Sequence, residues 1–165
     1  MSEPDANLVS ETNSVPSQPS EESLILDWMG AFFAQVDRAL PGTQKASLVK
    51  SCSAAHYRWL NMDETLRPFK GDLPGLLRLL SETWGWKISV QAGGRLIEAD
   101  ENKETCVCPL IRRGVIQASP TLCSCSEGFA ERMFASVLDK PVSAKVVRSI
   151  LRGDPSCVYE VAVGE

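Results

Sequence analysis

Long hydrophobic runs are missing from this 165-residue chain, and its basic residues are outnumbered by acidic ones. No apolar stretch approaches the roughly 18–20 residues that a membrane-spanning helix needs. The net charge of −4 argues against nucleic acid as a partner, because a basic face supplies most of that affinity. The first residues, Met-Ser-Glu-Pro-Asp, have neither the basic nor the apolar region of a signal peptide. We therefore expect a soluble, cytoplasmic protein with no membrane partner.

Histidine is also scarce, since His56 is the only one in the sequence. Acid–base chemistry near neutral pH must use this residue, a carboxylate or a thiol of shifted pKa. The sequence has no Gly-x-Ser-x-Gly segment, which would support a serine hydrolase, and no Cys-x-x-Cys pair of the kind found in zinc ribbons. A thiol site in this chain therefore needs another arrangement of its six cysteines.

Composition places the chain among globular proteins. Apolar residues make up 44% and charged residues 23% of the sequence, which are ordinary values for a domain with a buried core. Residues 1–20 are rich in Ser, Glu, Pro and Asn, and such a segment buries too little apolar surface to offset its ordering entropy. We predict a disordered tail over 1–20 and a single α+β domain over 21–165.

The spacing of apolar residues predicts helices first and a sheet later. Steps of three and four residues indicate helices, which we place at 23–40, at 43–60, at 72–85 with Asp72 as its cap, and at 127–138. Alternation with a period of two indicates strands, which we place at 87–91, 95–99, 105–111, 142–151 and 157–163. Gly93-Gly94 is a two-residue hairpin signal between the first two strands. This order predicts N-terminal helices packed on a mostly antiparallel sheet, with one further helix before the final hairpin.

Four of the six cysteines form two Cys-x-Cys pairs, Cys106-x-Cys108 and Cys123-x-Cys125. In a reducing compartment, clustered cysteines are more often metal ligands or reactive thiols than disulfides. Cys52 and His56 lie four residues apart on the apolar face of a predicted helix, so both are expected to project inward from one face. That spacing suits two ligands of one metal ion, although a core cysteine beside a hydrogen-bonded histidine would show the same pattern.

The Cys-x-Cys spacing binds one ion only where the backbone bends. On a regular strand, residues two apart have Cα atoms about 6.5–7 Å apart, whereas thiolates on one zinc ion lie about 3.8 Å apart. Pro109, and Ser126 as the cap of a helix, place both pairs at element ends, where a bend is expected. The sequence therefore predicts a metal site; zinc is the expected ion and an iron–sulfur cluster the alternative. Its predicted ligands are Cys52, His56, Cys106, Cys108, Cys123 and Cys125.

Two other interpretations of the same residues stay open. Cys125 immediately precedes a predicted helix, whose N-terminal dipole favours a thiolate and lowers its pKa. Cys125 could then act as the nucleophile of a hydrolase or thiol-dependent enzyme, with His56 as its base. In a third interpretation the thiols are structural parts of a sensory or partner-binding module. Trp84 and Trp86, which flank Gly85, are expected in the core or in the wall of a ligand pocket.

Three segments resemble a group of small prokaryotic proteins with Cys-x-Cys pairs. They are Cys-Val-Cys-Pro-Leu at 106–110, Leu-Cys-Ser-Cys-Ser-Glu-Gly at 122–128 and Ser-Ile-Leu-Arg-Gly-Asp-Pro-Ser-Cys-Val-Tyr at 149–159. These proteins are similar in their last part to the 4-vinyl reductase type of ligand-binding domain and to L-2-amino-thiazoline-4-carboxylic acid hydrolase-like proteins. The resemblance covers roughly 44–163 and implies an α+β domain with a pocket for a small molecule or metal.

The expected function is therefore a metal- or small-molecule-binding domain with a Cys/His site, in a sensory or accessory role. No separate cofactor-binding residues are predicted. The sequence leaves the identity of the ion or ligand, any catalysed reaction and the oligomeric state open.

Overall fold

The computed structural model describes residues 20–114 and 119–165. The predicted tail, apart from Ser20, lies outside the described residues. Within them, no helix is both long enough and apolar enough to cross a bilayer.

Five α-helices lie in the first part of the described chain, between residues 21 and 78. Helix α1 is capped by Ser20, whose side chain accepts a hydrogen bond from the Ser23 amide. Asp72 caps α5 in the same way by accepting from the Gly75 amide, as predicted. A π-helical turn at Leu79–Thr83 continues α5. The five helices are α1 Glu21–Ala39, α2 Gly42–Ser51, α3 Ser53–Trp59, α4 Met62–Leu66 and α5 Leu73–Arg78.

The second predicted helix, 43–60, is two helices that meet at Cys52. The Cys52 amide bonds to the carbonyl oxygen of Val49 at 3.1 Å, so the last turn of α2 tightens before α3 begins. Gly128 of a later helix packs directly against this junction, because a Cβ atom there would lie 2.6 Å from Ser53 Oγ and 2.7 Å from the Lys50 carbonyl oxygen. The two helices therefore meet at the point where the backbone of this later helix packs against them.

Within residues 20–114 and 119–165, four antiparallel strands form one sheet, in the order β1-β2-β4-β3. The predicted hairpin is confirmed, and Gly93 and Gly94 take the positive φ angles of 65° and 91° that its turn requires. The last predicted strand pair is also confirmed, although β3 ends at Arg148. The strands are β1 Lys87–Gln91, β2 Leu96–Asp100, β3 Val142–Arg148 and β4 Val158–Val163.

The predicted strand at 105–111 is wrong. Residues 105–108 are irregular, and Pro109–Arg112 forms a single helical turn, α6. Proline has no amide hydrogen to give to a sheet, and its fixed φ suits the first position of a helix. The bend expected at Pro109 is therefore present, but it begins a helix where a strand was predicted.

Helix α7, Cys123–Leu138, covers one face of the sheet. It contacts β3, α2 and α3. Glu127 accepts a hydrogen bond of 3.0 Å from the Val146 amide of the edge strand β3. Glu131 accepts one of 2.9 Å from the Ala144 amide of the same strand. Helix and sheet share one core, whose fully buried large side chains include Phe134, Met133, Val137, Leu76, Leu80, Ile97, Val146 and Val161. This arrangement confirms the α+β class.

Candidate functional site

A cavity of about 680 Å³ opens between the helical layer and one end of the sheet. Its walls come from four parts of the chain that are distant in sequence. Helices α3 and α4 with the residues between them form one wall, residues 84–112 a second, the first half of α7 a third, and the β3–β4 hairpin a fourth. The site therefore exists only in the folded chain, and no single motif encodes it.

Five of the six cysteines line this cavity. They include both Cys-x-Cys pairs, as predicted, and also Cys157 at the start of the last strand. All six are free thiols. Cys157 was not predicted as a site residue because a lone cysteine before a strand has no partner at a recognisable spacing. The lining thiols are Cys106, Cys108, Cys123, Cys125 and Cys157.

Cys52 does not belong to this group. It is exposed at the α2–α3 junction and is not part of the cavity wall, whereas His56, one turn further along, is. The expectation that both side chains project inward from one helical face is therefore wrong for Cys52, whose exposed thiol lies 3.8 Å from the Leu48 carbonyl oxygen of its own helix. In the ranges that the structure describes, no three His, Cys, Asp or Glu side chains are grouped closely enough to hold a metal ion. The zinc site stays a prediction.

His56 lies among aromatic rings. Its ring centroid is 4.9 Å from that of Phe129 on α7 and 6.2 Å from that of Trp59. Burial lowers the pKa of His56 below its ordinary value of 6.5, because an apolar surrounding disfavours the charged imidazolium. Near neutral pH the residue is thus an uncharged part of an aromatic wall.

Burial favours the protonated form of four cavity thiols near neutral pH. Burial raises the pKa of Cys125 to about 12, and it also raises the pKa values of Cys106, Cys123 and Cys157. The expected lowering at Cys125 is therefore wrong. The helix begins at Cys123, so Cys125 lies inside the first turn and faces the cavity. This removes the electrostatic reason for placing a nucleophile there.

The Gly-Asp hairpin motif of the sequence closes one side of the cavity. The Ser149 amide donates to Asp154 Oδ2 at 2.7 Å, and Ser149 Oγ accepts from the Leu151 amide at 3.1 Å. The same hydroxyl lies 3.1 Å from Cys123 Sγ. Both Ser149 and Cys123 are buried, so this motif fixes the β3–β4 connection against the start of α7.

A polar corner of the cavity was not predicted from the sequence. Glu101, at the end of β2, is only 6% exposed, and its Oε1 accepts a hydrogen bond of 2.6 Å from the Tyr159 hydroxyl. Burial raises the pKa of Glu101, since a carboxylate loses hydration there. Trp86 stacks on Tyr159 with ring centroids 5.7 Å apart and planes 4° from parallel, and Trp84 meets Trp86 edge-on. A single acidic residue after a strand carries no sequence signal for such a role. Both expectations for the tryptophans hold in part, because Trp84 and Trp86 are half-buried against the core and also line the cavity.

Comparisons with known proteins identify the fold but no family. No family model matches the chain, and no curated protein matches it. Among solved structures, trafficking protein particle complex subunit 3 from Naegleria fowleri, covalently bound to palmitic acid, is similar with a TM-score of 0.51 and 11% identity. That alignment covers 86% of this chain and 94% of the other. The phenol-responsive sensory domain of the transcription activator PoxR, solved with phenol, has a TM-score of 0.52 and 15% identity, covering 84% and 74% of the two chains.

These likenesses establish a shared small α+β fold. The resemblance to the 4-vinyl reductase type and to amino-thiazoline hydrolase-like proteins is not tested by them and stays a prediction.

Proposed function

We propose that this chain is a small-molecule-binding domain of the sensory type, which holds an organic ligand in the cavity between α3, α7 and the final hairpin. The observation that carries the proposal is the cavity itself. Its volume of about 680 Å³ is within the roughly 300–1,000 Å³ that ligand pockets occupy, and such pockets combine apolar walls with a few polar groups. Here the walls include aromatic rings and thiols, and the polar groups include Glu101 and Tyr159.

The two structural neighbours support this proposal through what their structures contain. One was solved with phenol and the other with covalently bound palmitic acid, so the same fold accommodates an aromatic ring in one case and a long acyl chain in the other. For this chain, the aromatic side chains Trp59, Trp84, Trp86 and Phe129 favour a ligand with a mainly apolar body.

The thiols also support a second role within the same site, namely the binding of zinc or another thiophilic ion. The five lining cysteines surround one cavity, and a rearrangement of residues 105–108, which form no helix or strand, could bring three of them together. Elemental analysis of anaerobically purified protein tests this directly. One equivalent of zinc that is lost on Cys106→Ser would support the metal, whereas less than a tenth of an equivalent would contradict it.

The ligand proposal is tested by filling the cavity. Ala130 lies in its wall on α7 and is buried, so Ala130→Leu places three additional carbon atoms in the space. Ala55 on α3 is exposed and outside the wall, which makes Ala55→Leu a matched control. Isothermal titration with a panel of substituted phenols, of phenylalkylamines and of fatty acids from eight to sixteen carbons measures binding to each protein.

We expect at least one class to bind the parent chain and Ala55→Leu with similar affinity, and to bind Ala130→Leu at least tenfold more weakly. Absence of binding by every member of the three classes at millimolar concentration would contradict the proposal. Binding that Ala130→Leu leaves unchanged would show that the ligand lies outside this cavity.

A further inference from the structure

Glu101 is a buried acidic side chain that forms no ion pair in the described part of the chain. It is the one buried carboxyl group in the described part of the chain, and none of the four ion pairs found there includes it. Its only hydrogen bond from a side chain comes from the neutral Tyr159 hydroxyl and reaches one of its two oxygens. A charge in this position is costly unless a partner arrives, because burial removes its hydration.

The basic residues of the cavity do not provide that partner. Lys103 and Arg112 also line it, but both are exposed. The Lys103 ammonium donates to the carbonyl oxygen of Trp84 at 2.9 Å. Burial raises the pKa of Glu101 more than the charge of Lys103 lowers it, since a charge in contact with solvent is screened by water and salt. The buried carboxyl group therefore stays available to a ligand.

Aromatic rings surround the same corner. Trp86 stacks on Tyr159, the residue that bonds to Glu101, and Trp84 packs edge-on against Trp86 at 5.8 Å between centroids. The faces of such rings attract an organic cation, most strongly when the site is removed from water. A carboxylate beside tryptophan and tyrosine rings is thus a combination that recognises a positively charged ligand with an apolar body.

We infer that the ligand of this cavity is an organic amine, whose protonated nitrogen donates to Glu101 and whose apolar body lies against the tryptophans and the thiol wall. This inference rests on the proposed function and specifies the class of ligand for the same cavity. It predicts that charge, at equal size and shape, decides which molecules bind.

A matched pair of probes tests the inference. At pH 7, 2-phenylethylamine carries a positive charge and 2-phenylethanol does not, although the two are similar in size. Isothermal titration on the whole chain should show the amine binding at least tenfold more tightly than the alcohol. Glu101→Gln, which keeps an oxygen for the Tyr159 hydroxyl, should reduce that preference to threefold or less by weakening the amine alone. Glu98→Gln on β2, the strand that directly precedes Glu101, is the control, because Glu98 is exposed and outside the cavity wall.

The outcomes separate this inference from the function on which it rests. If the alcohol binds as tightly as the amine, or if the preference survives in Glu101→Gln, the inference is wrong while the cavity remains a ligand site. If neither probe binds, the inference is wrong, and the phenol and fatty acid panel decides on the ligand site separately. The comparison of the two probes on the parent chain decides even if Glu101→Gln fails to fold.

Discussion

Helices α1 and α7 have similar apolar periodicity in the sequence but opposite surroundings in the structure. The apolar side of α7 is covered by the sheet and by α2 and α3, and Met133, Phe134 and Val137 are almost fully buried. In α1 only Phe33 and Val36 are buried, while Trp28 is 73% exposed. Leu24, Ile25 and Phe32 on the same helix are also exposed.

The difference shows what helical periodicity encodes. Apolar residues at steps of three and four predict that a segment is helical and that one side of it is apolar. The number of neighbours that cover that side depends on the rest of the fold. Helix α7 lies between several elements and forms a cavity wall, whereas α1 buries only Phe33 and Val36 against the rest of the protein. Three measurements test this contrast between the burial of α7 and that of α1.

The first prediction compares one large aromatic side chain from each helix. Phe134→Ala should lower the free energy of unfolding by about 3–5 kcal/mol, because it leaves a cavity in the core. Trp28→Ala should change it by less than about 0.5 kcal/mol, as expected for an exposed position. Urea unfolding followed by circular dichroism measures both. A cost for Trp28→Ala close to that of Phe134→Ala would show that the outer side of α1 is covered in solution.

The second prediction concerns the contact between Gly128 of α7 and the α2–α3 junction. Gly128→Ala should destabilise the protein by about 1–3 kcal/mol, since the new methyl group has no room beside Ser53 Oγ and the Lys50 carbonyl oxygen. Gly42→Ala at the start of α2 is the control, because its Cβ would have nothing within 4 Å. Thermal unfolding of both variants makes the comparison. A stabilised Gly128→Ala variant would mean that α7 lies further from the α2–α3 junction than the structure shows.

The third and smallest prediction concerns His56, which packs against Phe129 of α7. Its lowered pKa means that the unfolded chain takes up this proton at higher pH than the folded protein does. The free energy of unfolding should therefore be highest above pH 6.5 and fall as the pH drops below that value. His56→Gln should remove this part of the pH dependence, while the carboxylates continue to act at lower pH. Urea unfolding at several pH values between 5 and 8 gives the two curves, and an unchanged slope in His56→Gln would contradict the burial of the ring.

The sequence predicted the elements better than it predicted their ends and contacts. The hairpin at Gly93-Gly94 and the cap at Asp72 were correct because each depends on a few adjacent residues. The break at Cys52 was not predicted, since it occurs where Gly128, more than seventy positions away, meets that backbone. The strand at 105–111 was wrong because its alternating pattern outweighed the signal of Pro109.

The candidate site was predicted in part for the same reason. Both Cys-x-Cys pairs were identified by their spacing, and they do face one cavity. The pairing of Glu101 with Tyr159 was missed because the bond between them joins residues fifty-eight positions apart, which no local spacing indicates. Spacing reveals groups that act within one element, whereas a pocket assembled from four segments becomes visible only in three dimensions.

The exposed position of Cys52 allows a probe to be attached close to the cavity. Its thiol is in contact with solvent, whereas Cys123 and Cys157 are buried and the other three are partly shielded. Alkylating reagents reach accessible thiols first, so brief labelling should attach a fluorophore at this junction, one helical turn from His56. The fluorescence of that label would then report in real time on ligand binding in the cavity that His56 lines.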